Sequence, residues 1–175
     1  MRTRWLFAGG AGFSEETSEM GLKENLHEET VSRLPIRDAI AVAPDATARE
    51  AVTKMRDKQL GCAVIVDDHR TVVGIFTERG VIDALIDGRK LDDVQVGQSK
   101  DPEFMTVKET EPISKVWDAV VDRGQRFVCV TSESGKLLGL TGQRGLSEYV
   151  SEYYPQQVMV QRLGGKPWMK HREGA

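Results

Sequence analysis

The heptapeptide GIFTERG occupies residues 74–80 of this 175-residue chain, and the related heptapeptide GLTGQRG occupies residues 139–145. Both have glycine at the first and last positions and arginine at the sixth. Their first glycines, Gly74 and Gly139, are 65 residues apart, and most of the sequence between and before the two copies aligns at that spacing without a gap. We therefore expect the chain to contain two related units.

The first unit shows a helix pattern followed by two strand patterns and a second helix. Thr47 and Glu50 form a capping box, which predicts the start of a helix. The uninterrupted apolar run at residues 62–66 is typical of a strand buried on both faces. After a polar turn at residues 67–70, another strand leads into GIFTERG, where Thr77 is expected to cap the second helix. The apolar positions of that second helix are Val81, Ile82, Leu85 and Ile86.

The second unit repeats this order. A spacing of 65 residues predicts a buried strand at residues 127–131 and a last helix from about Gln143 to Tyr153, stopped by Pro155. The fold class is therefore α+β, with two strand–helix–strand–strand–helix units that are too small to stand alone and pack as one pseudo-twofold module. The expected organisation is a flexible arm at residues 1–30 with a short helix near residues 23–32, repeats at residues 31–90 and 91–155, and a tail at residues 156–175.

Composition limits the classes of function. The net charge of −3 is unlike the strongly basic surface that nucleic acid requires. No apolar run approaches the roughly 20 residues of a membrane helix, and the apolar part of the N-terminus is too short for a signal peptide. We therefore expect a cytoplasmic protein that binds neither nucleic acid nor membrane. Cys62 and Cys129 fall in apolar strands, which predicts buried free thiols in a reducing compartment.

The sequence offers no arrangement typical of catalysis or metal binding. His27, His69 and His171 fall in the arm, a turn and the tail, and no nucleophile is paired with a base. Asp67 and Asp68 could ligate a hard cation, but adjacent carboxylates in a turn are more often simply solvated. We expect a protein that is not an enzyme, with no metal and no required cofactor.

Two such units in tandem, each with a glycine-led turn into its last helix, resemble a CBS-domain pair, also called a Bateman module. The resemblance covers residues 31–155. It implies that AMP, ADP, ATP, S-adenosylmethionine or NAD binds in clefts between the repeats and regulates an attached or associated protein. It also implies a homodimer and, for this chain, a separate effector protein as partner.

The resemblance also implies candidate ligand-binding residues in two clefts. The first cleft would combine Ile75, Thr77, Arg79 and Gly80 with Glu109, Gln125 and Arg126. The second cleft would combine Leu140, Gly142, Arg144 and Gly145 with Pro44, Leu60 and Gly61.

The chain departs from the family pattern at both turns. The family's ribose-binding aspartate is replaced by Gly80 and Gly145, and the threonine kept at Thr77 becomes Gly142. Losing a charge-assisted hydrogen bond weakens binding by about 1.5–3 kcal/mol, or roughly ten- to a hundredfold. Two hypotheses follow. Arg79 and Arg126 clamp the phosphates of a sensed adenine nucleotide, or the module is a dimerisation scaffold that has lost its ligand.

Overall fold

The computed structural model describes residues 21–155, so the predicted tail and most of the predicted arm lie outside the described residues. The helices are α1 (Leu22–Glu28), α2 (Ala48–Lys58), α3 (Glu78–Ile86), α4 (Ser114–Val121) and α5 (Gln143–Tyr153). The strands are β1 (Ala41–Val42), β2 (Cys62–Val66), β3 (Val72–Thr77), β4 (Met105–Lys108), β5 (Phe127–Thr131) and β6 (Leu137–Gly142). Among these residues no helix has the length and apolar character needed to cross a membrane.

The strands form two sheets of identical topology. Their orders are β1-β2-β3 and β4-β5-β6, and in each the central strand runs parallel to the first and antiparallel to the third. The central strands β2 and β5 are almost wholly buried, because each is covered on both faces. The predicted α+β fold with an internal duplication is confirmed.

The two sheets face each other across a shared apolar cluster. It consists of Cys62, Val64, Ile75, Cys129, Leu137 and Leu140, which come from both repeats. Both thiols are free and buried, as predicted, and burial raises the pKa of each to about 12. The thiols are therefore protonated at neutral pH and unreactive.

Each sheet packs its other face against its own helices. The capping box of α2 forms as predicted, with the Glu50 amide donating to Thr47 Oγ1 at 3.2 Å and the Thr47 amide donating to Glu50 Oε2 at 3.1 Å. Helix α3 differs from its pattern, because Ile82, Leu85 and Ile86 are 55%, 59% and 77% exposed. The helix packs against the sheet through the small Ala84, which is fully buried.

Helix α1, where the sequence predicted a short helix, packs on the second repeat although it precedes the first. Leu26 belongs to the core cluster of α4, α5 and the second sheet. The buried Tyr149 donates its hydroxyl to Glu29 at 2.8 Å, and burial together with this bond raises the pKa of Tyr149. The chain therefore crosses from the second repeat into the first near Arg37, whose backbone pairs with Leu140.

Candidate functional site

Two clefts lie where the repeats meet, each at the point where the last strand of a repeat enters its helix. Cleft 1 has a volume of about 390 Å³ and adjoins the start of α3. Cleft 2 has a volume of about 380 Å³ and adjoins the start of α5. Both volumes fall in the range of small-molecule sites, roughly 300–1,000 Å³.

Cleft 1 joins the end of β3 to the segments that precede β4 and β5. Its lining residues are Gly61, Ile75, Thr77, Glu78, Arg79, Asp101, Glu103, Arg123, Gly124, Gln125, Arg126 and Phe127. Thr77 is the N-cap of α3, as predicted, but its side chain makes no capping hydrogen bond. Its hydroxyl is therefore available to a ligand beside the unpaired amides of the first helical turn.

The charges of cleft 1 are mixed. Arg126 Nη1 lies 3.3 Å from Glu78 Oε2, whereas Arg79 and Arg123 form no ion pair with any carboxylate of residues 21–155. The Asp101 amide donates to the Ile75 carbonyl at 2.8 Å, which ties the Asp101 loop to β3. Asp101 Oδ1 accepts from the Glu103 amide at 3.0 Å, which leaves its second oxygen free for a hydroxyl group. The cleft thus offers both guanidinium donors and carboxylate acceptors.

Cleft 2 is lined by arginines that are already paired. Arg37 and Arg144 both donate to Glu148 Oε1, at 2.5 Å and 3.1 Å, and these bonds lower the pKa of Glu148. Arg126 reaches this cleft too, again facing Glu78. An anion entering cleft 2 therefore has to compete with existing ion pairs.

The glycines of the two turns allow close packing. A Cβ at Gly80 would lie 2.8 Å from the Phe76 ring and 3.1 Å from the Ser99 carbonyl oxygen. A Cβ at Gly145 would lie 2.3 Å from Thr141 Oγ1. Gly142 has φ +145°, and a Cβ there would lie 2.4 Å from the Arg126 carbonyl oxygen. A side chain at any of these positions, a carboxylate included, would require the neighbouring atoms to move.

Residues 21–155 contain no cluster of three or more side chains suited to a metal ion. Asp67, one of the two carboxylates considered for a hard cation, is engaged in its turn. Its Oδ1 accepts the amides of His69 at 2.9 Å and Thr71 at 2.8 Å, and the Thr71 bond is the main cause of its lowered pKa. Asp67 therefore stabilises the turn between β2 and β3.

Comparisons with known proteins agree with this architecture. The family profile described as CBS domain matches residues 31–87. An uncharacterized 17.7 kDa protein of Acidianus ambivalens is 30% identical over 138 residues, which cover 78% of this chain and 79% of that protein. The solved structure of a CBS-domain protein from Pyrobaculum aerophilum, complexed with AMP, superposes with a TM-score of 0.63 at 21% identity, covering 76% of this chain and 97% of that one. This chain belongs to the CBS-domain family.

A second relative matches this CBS-pair protein over a smaller share of both chains. An uncharacterized protein of Methanopyrus kandleri is 32% identical over 112 residues, which cover 63% of this chain. The match spans 57% of the Methanopyrus protein.

The CBS clefts contain most of the candidate residues. Cleft 1 brings together Ile75, Thr77, Arg79, Gln125 and Arg126. Cleft 2 brings together Leu60, Gly61, Leu140, Gly142, Arg144 and Gly145. Gly80 lines an adjoining cavity of about 300 Å³ that shares Thr77, Arg79, Asp101 and Glu103 with cleft 1.

Pro44 and Glu109 line neither cleft. Pro44 follows β1, and Glu109 follows β4. Each of these strands runs parallel to the central strand of its sheet, and the clefts border the beginnings of the central strands. Pro44 and Glu109 therefore lie toward the opposite ends of the strands. The clefts therefore receive residues that precede β1 and β4, namely Arg37 in cleft 2 and Asp101 and Glu103 in cleft 1. The strand–helix–strand pattern was a signal for this parallel pairing, because such crossovers join parallel strands.

Proposed function

We propose that this CBS-pair protein is a regulatory module that binds an adenine nucleotide, or a related adenosyl ligand, in cleft 1 and signals to a separate partner protein. The observation that carries the proposal is the combination of unpaired guanidinium groups, a free hydroxyl and carboxylates around one cavity of about 390 Å³. A nucleoside phosphate needs all three kinds of group. The AMP in the Pyrobaculum complex supports the ligand class.

The phosphate end of the ligand is assigned to the start of α3. Helix N-termini attract anions through unpaired amides and the helix dipole. Thr77 adds a hydroxyl donor, and Arg79 and Arg123 add guanidinium groups that no described carboxylate neutralises. Arg126 can add a third guanidinium group when its ion pair with Glu78 is broken. This end of the cleft therefore suits one or more phosphates.

The ribose end is assigned to the loop before β4. Gly80 cannot supply a carboxylate, but Asp101 lines the same cleft and is held against β3 by its own amide. Its free oxygen can accept a hydrogen bond from a ribose hydroxyl. Glu103 is an exposed second acceptor on the same loop.

Signalling requires that the ligand bind two states of the module with different affinity. Cleft 1 takes its walls from both repeats, so a ligand that contacts Arg79 and Gln125 joins β3–α3 to the segment before β5. We propose that this contact changes how the repeats sit together and that a partner protein reads the change. The module itself binds and does not turn over its ligand.

The test is thermal unfolding with a panel of AMP, ADP, ATP, NAD and S-adenosylmethionine. A ligand at a hundred times its dissociation constant stabilises by about 2.7 kcal/mol, which is roughly 5–10 °C for a chain of this size. We expect at least one panel member to give such a shift, and the double variant Arg79→Ala, Arg126→Ala to lose most of it. The matched control Arg89→Ala removes an exposed arginine that lines neither cleft and should keep the shift.

A second candidate function is a dimerisation scaffold without ligand. The observation that favours it is that glycine stands at residues 80 and 145, where the family has its ribose-binding aspartate, and that neighbouring atoms pack tightly around both glycines. Absence of a shift with every panel member would favour the scaffold and contradict the sensor.

We propose under either function that the protein is a homodimer. Ile82, Leu85 and Ile86 expose an apolar face on α3, next to a groove lined by Val52, Met55, Leu60 and Val81. A second copy that brings the same face would bury these side chains in an isologous contact.

A further inference from the structure

We propose that the ion pair of Arg126 and Glu78 couples the two clefts, so that an anionic ligand in one cleft weakens binding of an anionic ligand in the other. The inference rests on the proposed function for the presence of an anionic ligand. It adds to that function a rule for how the two sites regulate each other.

The two clefts share a wall. Gly61, Glu78, Arg126 and Phe127 line both of them. Glu78 is the first residue of α3 in the first repeat, whereas Arg126 immediately precedes β5 in the second. Among residues 21–155, the charged groups common to both clefts are therefore one carboxylate and one guanidinium, and they are paired with each other across the repeats.

The pair is weak enough for a ligand to break. Its nitrogen and oxygen are 3.3 Å apart, and the two side chains are 67% and 59% exposed. Exposed pairs of this kind contribute little stability, whereas a phosphate forms stronger charge-assisted bonds with a guanidinium. The Arg126 guanidinium also lies 5.2 Å from the centre of the Phe127 ring, which keeps it close to the shared wall.

Competition for Arg126 gives the coupling its sign. A phosphate in cleft 1 draws the guanidinium of Arg126 toward itself, and Glu78 then faces cleft 2 without its cation. The other arginines of cleft 2, Arg37 and Arg144, share the single carboxylate of Glu148, and neither forms an ion pair with Glu78, so the charge of Glu78 stays unneutralised. An anion in cleft 2 is therefore bound less well, and by linkage an anion in cleft 2 weakens binding in cleft 1 by the same factor.

The test uses the full chain labelled with ¹⁵N, with the amide signals of Arg79 and Arg144 as separate reporters of clefts 1 and 2. AMP is the first probe, and inorganic pyrophosphate is the second. Gln125→Trp fills cleft 1, and Gln143→Trp fills cleft 2, because each residue lines only one of the two clefts. Arg126→Gln removes the shared cation, and Arg123→Gln removes a guanidinium of cleft 1 alone as the matched control.

We expect the cleft that fills second to bind the probe about threefold to tenfold more tightly when the other cleft is blocked. This gain should disappear in the Arg126→Gln background and persist with Arg123→Gln. If AMP binds with affinities that blocking does not change, the coupling is overturned and the sensor function stands. If only pyrophosphate binds and shows the expected gain, the coupling stands and the nucleotide assignment fails. If neither probe binds, both proposals are overturned.

Discussion

Gly80 occupies a position where surrounding atoms leave no room for a Cβ. The nearest of these atoms belongs to Phe76, a fully buried core side chain, and the Ser99 carbonyl oxygen is also close. Gly80 therefore lets α3 lie close to Phe76 and Ser99, and Gly145 lets α5 lie close to Thr141 and Pro35. In the proposed site, the carboxylate that faces the ligand in cleft 1 comes instead from the loop at Asp101.

We predict that Gly80→Ala lowers the free energy of unfolding by about 1–3 kcal/mol through overpacking against Phe76. Urea denaturation measures the change. The double-mutant cycle with Phe76→Leu is the control, because a smaller side chain at residue 76 should reduce the additional cost of the alanine. Strict additivity of the two substitutions would show that the contact with Phe76 is not the cause.

The buried thiols predict a dependence on pH. Burial raises the pKa of Cys62 from an ordinary value of 9.0 to about 12, and that of Cys129 similarly. Between about pH 9 and pH 12 the thiols therefore stay protonated in the folded state but ionise in the unfolded state. Their contribution to the free energy of unfolding is complete below about pH 9 and is lost as the pH rises toward 12. Urea unfolding at pH 7.5 and pH 10 should show a larger loss for the natural protein than for Cys62→Val, Cys129→Val. Equal losses would contradict the assignment.

Elements whose identity depends on local patterns were predicted well. The capping box at Thr47 and Glu50, the buried strands at residues 62–66 and 127–131, and the stop before Pro155 each follow from neighbouring residues. The sequence did not predict that the apolar face of α3 is exposed. Apolar residues at helical spacing give the same pattern whether the helix buries them against its own sheet or leaves them on the surface of the protein. The resemblance to CBS-domain pairs assigned Pro44 and Glu109 to the clefts, but each follows a strand that ends away from the cleft it was assigned to.

The cap of α2 gives a prediction for a single element. Thr47→Ala removes the acceptor of the Glu50 amide and should lower the free energy of unfolding by about 0.5–2 kcal/mol. The matched control is Thr53→Ala in the same helix, whose hydroxyl only donates to the Arg49 carbonyl. The control should cost less, since alanine is favoured at a helix interior. Equal costs in urea denaturation would count against the capping role.

In the whole molecule, the two repeats share an apolar cluster between their sheets and leave an apolar face exposed on α3. We predict that Ile86→Glu converts a homodimer to a monomer, because a charge at a 77% exposed apolar position would be buried in the contact. Light scattering at micromolar concentration measures the mass. Leu138→Glu, which adds the same charge at an exposed leucine of β6, is the control and should remain dimeric. A monomeric natural protein would refute the dimer.

Isothermal titration calorimetry with AMP tests the sensor most directly. We predict saturable binding to the natural protein and a loss of affinity of about tenfold or more in Arg79→Ala, Arg123→Ala, because each removes a charge-assisted bond to phosphate. Asp101→Asn should weaken AMP more than it weakens pyrophosphate, which has no ribose. Binding of AMP with unchanged affinity in the arginine variant would contradict the assignment of cleft 1, and no binding to the natural protein would contradict AMP sensing itself.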